Sequence, residues 1–148
     1  MSYIIFKKNS ENLTGVVYKI AENESDLNNI NFIKLEHEII EISEQDFNNI
    51  KYYKKANAKY NNKTVFLEDF ELVFKEKKDL LIYVNNFKNL IKVYLDNNSS
   101  HILFSKWNNY YNQLNNLNLD NITYPLNKSL EEYFNDLGQT SLNPLQLP

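Results

Sequence analysis

Two stretches of this chain carry apolar residues on the same helical rhythm, and a chain with two such stripes has to bring them together. Leu80, Val84, Phe87, Ile91 and Tyr94 follow one another at steps of four, three, four and three, and so do Leu103, Trp107, Tyr110, Leu114 and Leu117. Steps of three and four return a side chain to one side of an α-helix, so each set forms a single stripe. The second stripe holds the only tryptophan, one of the largest apolar surfaces a core can bury. Asp96-Asn-Asn-Ser-Ser interrupts the pattern between them, a connection short enough for the two helices to close as an antiparallel pair. A third helix is expected to follow. Thr123, Pro125, Glu131 and Glu132 suit its start, Leu126, Leu130, Tyr133, Phe134 and Leu137 form its apolar side, and Gly138 suits its end.

The residues ahead of this hairpin have a different character. Tyr3 to Lys8 and Gly15 to Ala21 are rich in β-branched and aromatic residues and are joined by the polar Asn9-Ser-Glu-Asn, which reads as a strand hairpin. Asn23-Glu-Ser-Asp and Ser43-Glu-Gln-Asp each place a capping residue three positions before an acid, which predicts two short helices. Between them, Ile33 to Ile42 reads as a strand with Ile33, Leu35, His37 and Ile39 on one face and Lys34, Glu36 and Glu38 on the other. Tyr60-Asn-Asn-Lys63 reads as a tight turn ahead of Thr64 to Leu67, and Phe70 to Phe74 as a further strand. The expected fold class is α+β. A small antiparallel sheet with short helices spans 1–74, a helical hairpin plus third helix spans 75–138, and an extended C-terminal tail spans 139–148.

Composition narrows the chemistry. All 16 basic residues are Lys, 26 of the 148 residues are Asn, and Cys is absent. Asn, Lys, Ile and Tyr share AT-rich codons, which accounts for the bias more simply than selection for Asn chemistry does. So much Asn weakens helix interiors, leaving packing to hold the helices. A net charge of −3 without Arg disfavours nucleic acid as a partner, since Arg is the residue best suited to phosphate and guanine. Lack of Cys removes disulfides, thiolate metal sites and cysteine nucleophiles. The first residues place lysines after a short apolar run, the reverse of a secretory signal. No stretch reaches the roughly 20 apolar residues of a membrane span, so a soluble protein made in the cytoplasm is expected.

Candidate sites are few. His37 is read as a packed, hydrogen-bonded strand residue and His101 as an exposed one beside a loop; neither has a second His at metal-ligand spacing. Glu68, Asp69 and Glu71 divide between two strand faces and read as a solvated edge. Gly15 and Gly138 are too far apart for a phosphate loop. Tyr52 and Tyr53 among Lys51, Lys54 and Lys55 could stack on single-stranded nucleic acid, but read better as a strand with a lysine edge. Trp107, Tyr110 and Tyr111 could form a sugar platform, but their helical spacing favours core packing for the first two. The best interaction feature is the tail, Leu142-Asn-Pro-Leu-Gln-Leu-Pro. Its leucines either fold back onto the helices or lie in a groove of a neighbouring chain. Leu142, Pro144, Leu145, Leu147 and Tyr111 are the candidate partner-binding residues. No catalytic residue, metal site or cofactor is expected.

Several stretches, Tyr3-Ile-Ile-Phe-Lys with Thr14-Gly-Val-Val-Tyr-Lys-Ile-Ala-Glu-Asn, Trp107-Asn-Asn-Tyr-Tyr-Asn-Gln-Leu, and above all Pro125-Leu-Asn-Lys-Ser-Leu-Glu-Glu-Tyr-Phe-Asn-Asp-Leu-Gly, resemble small proteins of T4-like myoviruses that infect marine bacteria. The resemblance covers nearly the whole chain, least so Lys51 to Lys78. It implies a setting and carries over no catalytic residues. From it follows the expectation of a non-enzymatic virion structural or assembly protein, in host cytoplasm and then the particle, whose partners are other virion proteins or copies of itself. The alternative it leaves open is a host-directed phage protein that binds a bacterial protein or nucleic acid during infection.

Overall fold

The β-branched and aromatic N-terminal residues form strands, and the pairing of those strands decides which side chains face inward. The computed structural model describes residues 1–7, 14–31, 36–52, 57–61, 64–68 and 74–148. Strand β1 (Ser2–Lys7) pairs antiparallel with β2 (Thr14–Ala21), Ile5 opposite Lys19 and Phe6 opposite Val17, so Tyr18 is the extra residue of a bulge. Helix α1 (Glu24–Asn28) follows, capped by the Asn23 side chain, which accepts from the Asp26 amide at 2.8 Å. Strand β3 (His37–Ile42) takes the other edge of β1. Helix α2 (Glu44–Lys51) is capped by the Ser43 hydroxyl, 3.1 Å from the Asp46 amide. Strands β4 (Asn57–Asn61) and β5 (Thr64–Glu68) complete an antiparallel sheet in the order β3-β1-β2-β4-β5. Asn61 stands opposite Thr64; the tip of the expected turn, 62–63, and the expected strand before Phe74 lie outside the described residues.

Both faces of the sheet carry apolar residues. Ile4, Phe6, Val17 and Ile20 lie beneath Phe47 and Ile50 of α2, with Ile40 and Ile42 beside them. Ile5 and Ala21 meet Ile30 and Leu27 on the opposite face. The row of β3 that serves the larger core is therefore Ile40 and Ile42, whereas the expected row held His37 and Ile39, with Ile33 and Leu35 outside the described residues. Register explains the difference: Ile40 stands opposite Ile4 and Ile39 opposite Ile5. On the second face α1 packs against β1 and β2, which leaves Ile39 40% exposed.

The helical half follows its rhythm. Helix α3 (Lys77–Asn97) begins with a reciprocal cap between Glu76 and Asp79, and α4 (Phe104–Asn115) follows. Tyr94 meets His101 beside the connection, whereas Phe87, two turns back, meets Trp107 and Tyr110, two turns on. The helices are thus antiparallel. Leu80, Val84, Phe87, Ile91 and Tyr94 are all buried, as are Trp107, Tyr110 and Leu114, whereas Leu103 and Leu117, expected on the same stripe, fall outside α4 and are half-buried against the core. Helix α5 (Leu130–Asp136) starts later than expected, behind a Ser129 cap whose hydroxyl accepts from the Glu132 amide at 3.0 Å. Leu126 cannot join it, because its amide and carbonyl pair with Phe74 at 2.8 and 2.9 Å. Leu137 falls at the C-cap and is exposed rather than part of the apolar side. Gly138, at a φ of 69°, turns the chain out of the helix while the Gln139 amide donates to the Phe134 carbonyl.

The tail is neither extended nor an arm. Leu142 and Leu147 are buried in the helical core, while Leu145 between them packs against the sheet core of Ile4, Phe6, Phe47 and Ile50. A 3-10 turn, Pro144–Gln146, produces this split by turning Leu145 away from its neighbours. Asn143, wholly buried, donates from its side chain to the Lys51 carbonyl at 2.7 Å and accepts from the Leu145 amide at 2.9 Å. The ten residues from 139 thus fasten α2 and the sheet to the helices. Leu142→Ala and Leu147→Ala should each cost about 2 to 3 kcal/mol, read as lower urea midpoints by Trp107 fluorescence. Removing Leu142 to Pro148 should abolish the cooperative transition of the helical half, whereas a dispensable arm would leave it unchanged.

Candidate functional site

Titratable side chains that could support chemistry are built into the packing. His37 is 9% exposed, its ring 4.7 Å from that of Tyr18. His101 is half-buried, with Nδ1 3.2 Å from the Leu103 amide and 2.6 Å from the Tyr94 hydroxyl. An amide can only donate, so Nδ1 is the acceptor for both groups and the ring proton sits on Nε2. His101 therefore ties the end of α3 to the start of α4, where an exposed residue was expected. Glu68 closes β5, and Asp69 and Glu71 lie outside the described residues. Lys51 and Tyr52 end α2, while Tyr53, Lys54 and Lys55 lie outside the described residues. Burial raises the Tyr52 pKa, and the charges of Asp136 and Glu132 add to it.

The expected partner-binding residues separate. Leu142 and Leu147 are spent on the helical core and Leu145 on the sheet core; Tyr111 is half-buried against the helices and Pro144 half-buried on the 3-10 turn. Leu142 and Leu147 consequently offer no surface to another chain. Trp107 and Tyr110 are buried, as their spacing required, and form no open platform with Tyr111.

A buried polar node lies between α3 and α5. Glu131 is wholly buried, and its Oε1 accepts from the Tyr83 hydroxyl at 2.6 Å. The Ser141 hydroxyl donates to its backbone carbonyl at 2.8 Å. The carboxyl sits in the first turn of α5, where the helix dipole favours negative charge. Burial raises the Tyr83 phenol well above its ordinary value, with the Glu131 charge and hydrogen bond adding to this. Burial also raises the Tyr110 phenol well above its ordinary value, with the Glu131 charge adding to this. These phenols keep their protons at neutral pH, so the node can brace the helices but supplies no general base from a phenolate. Sequence reading placed Glu131 only as a helix-start acid. Its position directly after Leu130 and three before Phe134 was the available sign that it faces inward.

The outer surface presents a polar recess of about 270 Å³ between Met1, Ser2, Glu22, Glu44, Phe47 and Asn48. It also presents an apolar face on α3. Ile82, Leu90 and Val93 are 60%, 55% and 63% exposed. At 100° per residue they lie within one quadrant of the helix, Ile82 and Val93 turned away from the buried stripe and Leu90 at its flank. This face was overlooked in the sequence because the inner stripe accounts for the helix by itself, and the surplus Ile, Leu and Val were the signal. Among the described residues no group of three His, Asp or Glu is placed to hold a metal ion, and no helix is long and apolar enough to cross a membrane. No family model, curated protein or solved structure matches the chain.

Tyr83→Phe should cost about 1 to 3 kcal/mol, because it removes the phenol donor from a buried carboxyl. Glu131→Gln, which keeps an acceptor, should cost less in the same thermal melts. Both Tyr83 and Tyr110 have raised values in the folded state, so their contribution is intact below the unfolded phenol value of about 10. It is lost as pH rises beyond that, because only the unfolded chain ionises there. Absorbance at alkaline pH should therefore show these phenols ionising together with unfolding.

Proposed function

We propose that this chain is a non-enzymatic structural or assembly protein of a phage virion, acting through contacts with other proteins in the capsid, neck, baseplate or tail fibre. The observation that carries the reading is the outer face of α3, where three large aliphatic side chains stand in solvent on the longest helix. Such residues grouped on one side of an element mark surfaces that meet another macromolecule. The strongest candidates for chemistry are occupied elsewhere: His101 joins two helices, Glu131 braces a core, and Trp107 fills one. The contact surface expected at the tail moves to α3, because the tail leucines close the chain's own cores. The likeness of Pro125 to Gly138 to marine myovirus proteins supplies the phage setting.

Mass spectrometry of purified particles tests this directly. A virion component is recovered at a fixed copy number, whereas a host-directed protein is absent from particles and is captured with a bacterial partner from infected cells. Replacing Ile82 and Val93 together by Asp should lower incorporation roughly tenfold or more, the effect of losing about 1.4 kcal/mol of contact energy. The circular dichroism of the variant should stay unchanged, since neither side chain belongs to the core. Undiminished incorporation would show that α3 is not the contact surface.

A further inference from the structure

The outer face of α3 is complementary to itself when reversed end for end. Its sequence is Lys78, Ile82, Asn86, then Asn89, Val93, Asp96, and all six are exposed. Ile82 and Val93 lie eleven positions apart, close to three turns, and Lys78 and Asp96 lie eighteen apart, five whole turns, so each pair shares a bearing on the helix. The pairs are centred at Phe87 and Lys88, with Asn innermost, an aliphatic residue next, and charges of opposite sign outermost. A twofold interface requires a surface that complements itself about one point.

We infer that the outer face of α3 is a twofold interface on which a second copy of this chain docks antiparallel, Ile82 of each copy against Val93 of the other. The inference rests on the reading that the chain works through protein contacts, and it names the contact. In this arrangement Asn86 of one copy comes level with Asn89 of the other, on either side of the seam, within reach for two side-chain amides to exchange hydrogen bonds across it. A polar layer inside an apolar helix seam fixes register, which two small aliphatic layers alone would leave free to slide. Residues on one flank of antiparallel helices face the same flank of the partner. Lys78 therefore comes level with Asp96 of the other copy, twice per dimer. A parallel pairing would bring Lys78 level with Lys78 and Asp96 level with Asp96, and would also align the two helix dipoles. Both side chains are largely exposed, Lys78 at 73% and Asp96 at 59%, and among the described residues they pair with the exposed neighbours Glu76 and Lys92. One helix per copy gives a contact below the roughly 1,200 Å² of stable complexes, so the dimer forms at micromolar and higher concentrations.

Sedimentation equilibrium of the full chain over that concentration range tests the inference. The wild-type protein should move from its 17.6 kDa monomer mass toward twice that value, and Ile82→Asp should remain monomeric throughout with an unchanged circular dichroism spectrum. Lys78→Glu should weaken association about tenfold by placing like charges together. The double variant Lys78→Glu with Asp96→Lys should restore it, since both contacts are then re-formed with their signs exchanged. A wild-type monomer at every concentration, association unaffected by Ile82→Asp, or failure of the double variant to recover would each overturn the inference. A chain found in particles yet monomeric alone would sink this interface and leave the virion reading standing. A dimer absent from particles would do the reverse.

Discussion

The structure depends on one short segment that belongs to two cores at once. Leu142 and Leu147 complete the helical core, and Leu145 completes the sheet core. Asn143 carries the junction: its side chain reaches the last carbonyl of α2, and its backbone amide donates to Gln146 Oε1 at 2.9 Å. A buried amide can be tolerated there because its hydrogen bonds are made. Without this segment each core would expose the apolar side that these leucines cover.

The helical half is closed by aromatic packing rather than by helix propensity. Asn recurs throughout α3 and α4, which would leave these helices weak in isolation. Phe87 meets Tyr83, Trp107 and Tyr110, and Tyr110 meets Phe134, so a chain of ring contacts links α3, α4 and α5. Edge-on and tilted rings of this kind contribute beyond their buried area. The Tyr83 hydroxyl extends the same chain into hydrogen bonding at Glu131.

How far the sequence foretold this depends on the range of the interactions. The inner stripe of α3 was legible because burial there follows local periodicity, and the caps at Asn23 and Ser43 are equally local. The late start of α5 was not, because it depends on Leu126 pairing with Phe74, a partner far back in the chain. His37 and Ile39 obeyed alternation but on the thinly covered face, which only the register with β1 decides. The leucines of the tail have the right composition for either an arm or a core. What separates the alternatives is the turn at Pro144 and the reach of Asn143 to Lys51. The outer face of α3 was present in the letters and hidden by a simpler explanation of the same helix.

The distance bridged by Asn143 also sets an order of events. Its contact with Lys51 spans 92 positions, so the residues of the sheet and α2 leave the ribosome long before the residue that seals their apolar side. During that interval the surface around Ile4, Phe6, Phe47 and Ile50 stands open. Contacts of such long range are slow to form, and until they do the nascent chain presents an adhesive patch to chaperones and to its own siblings.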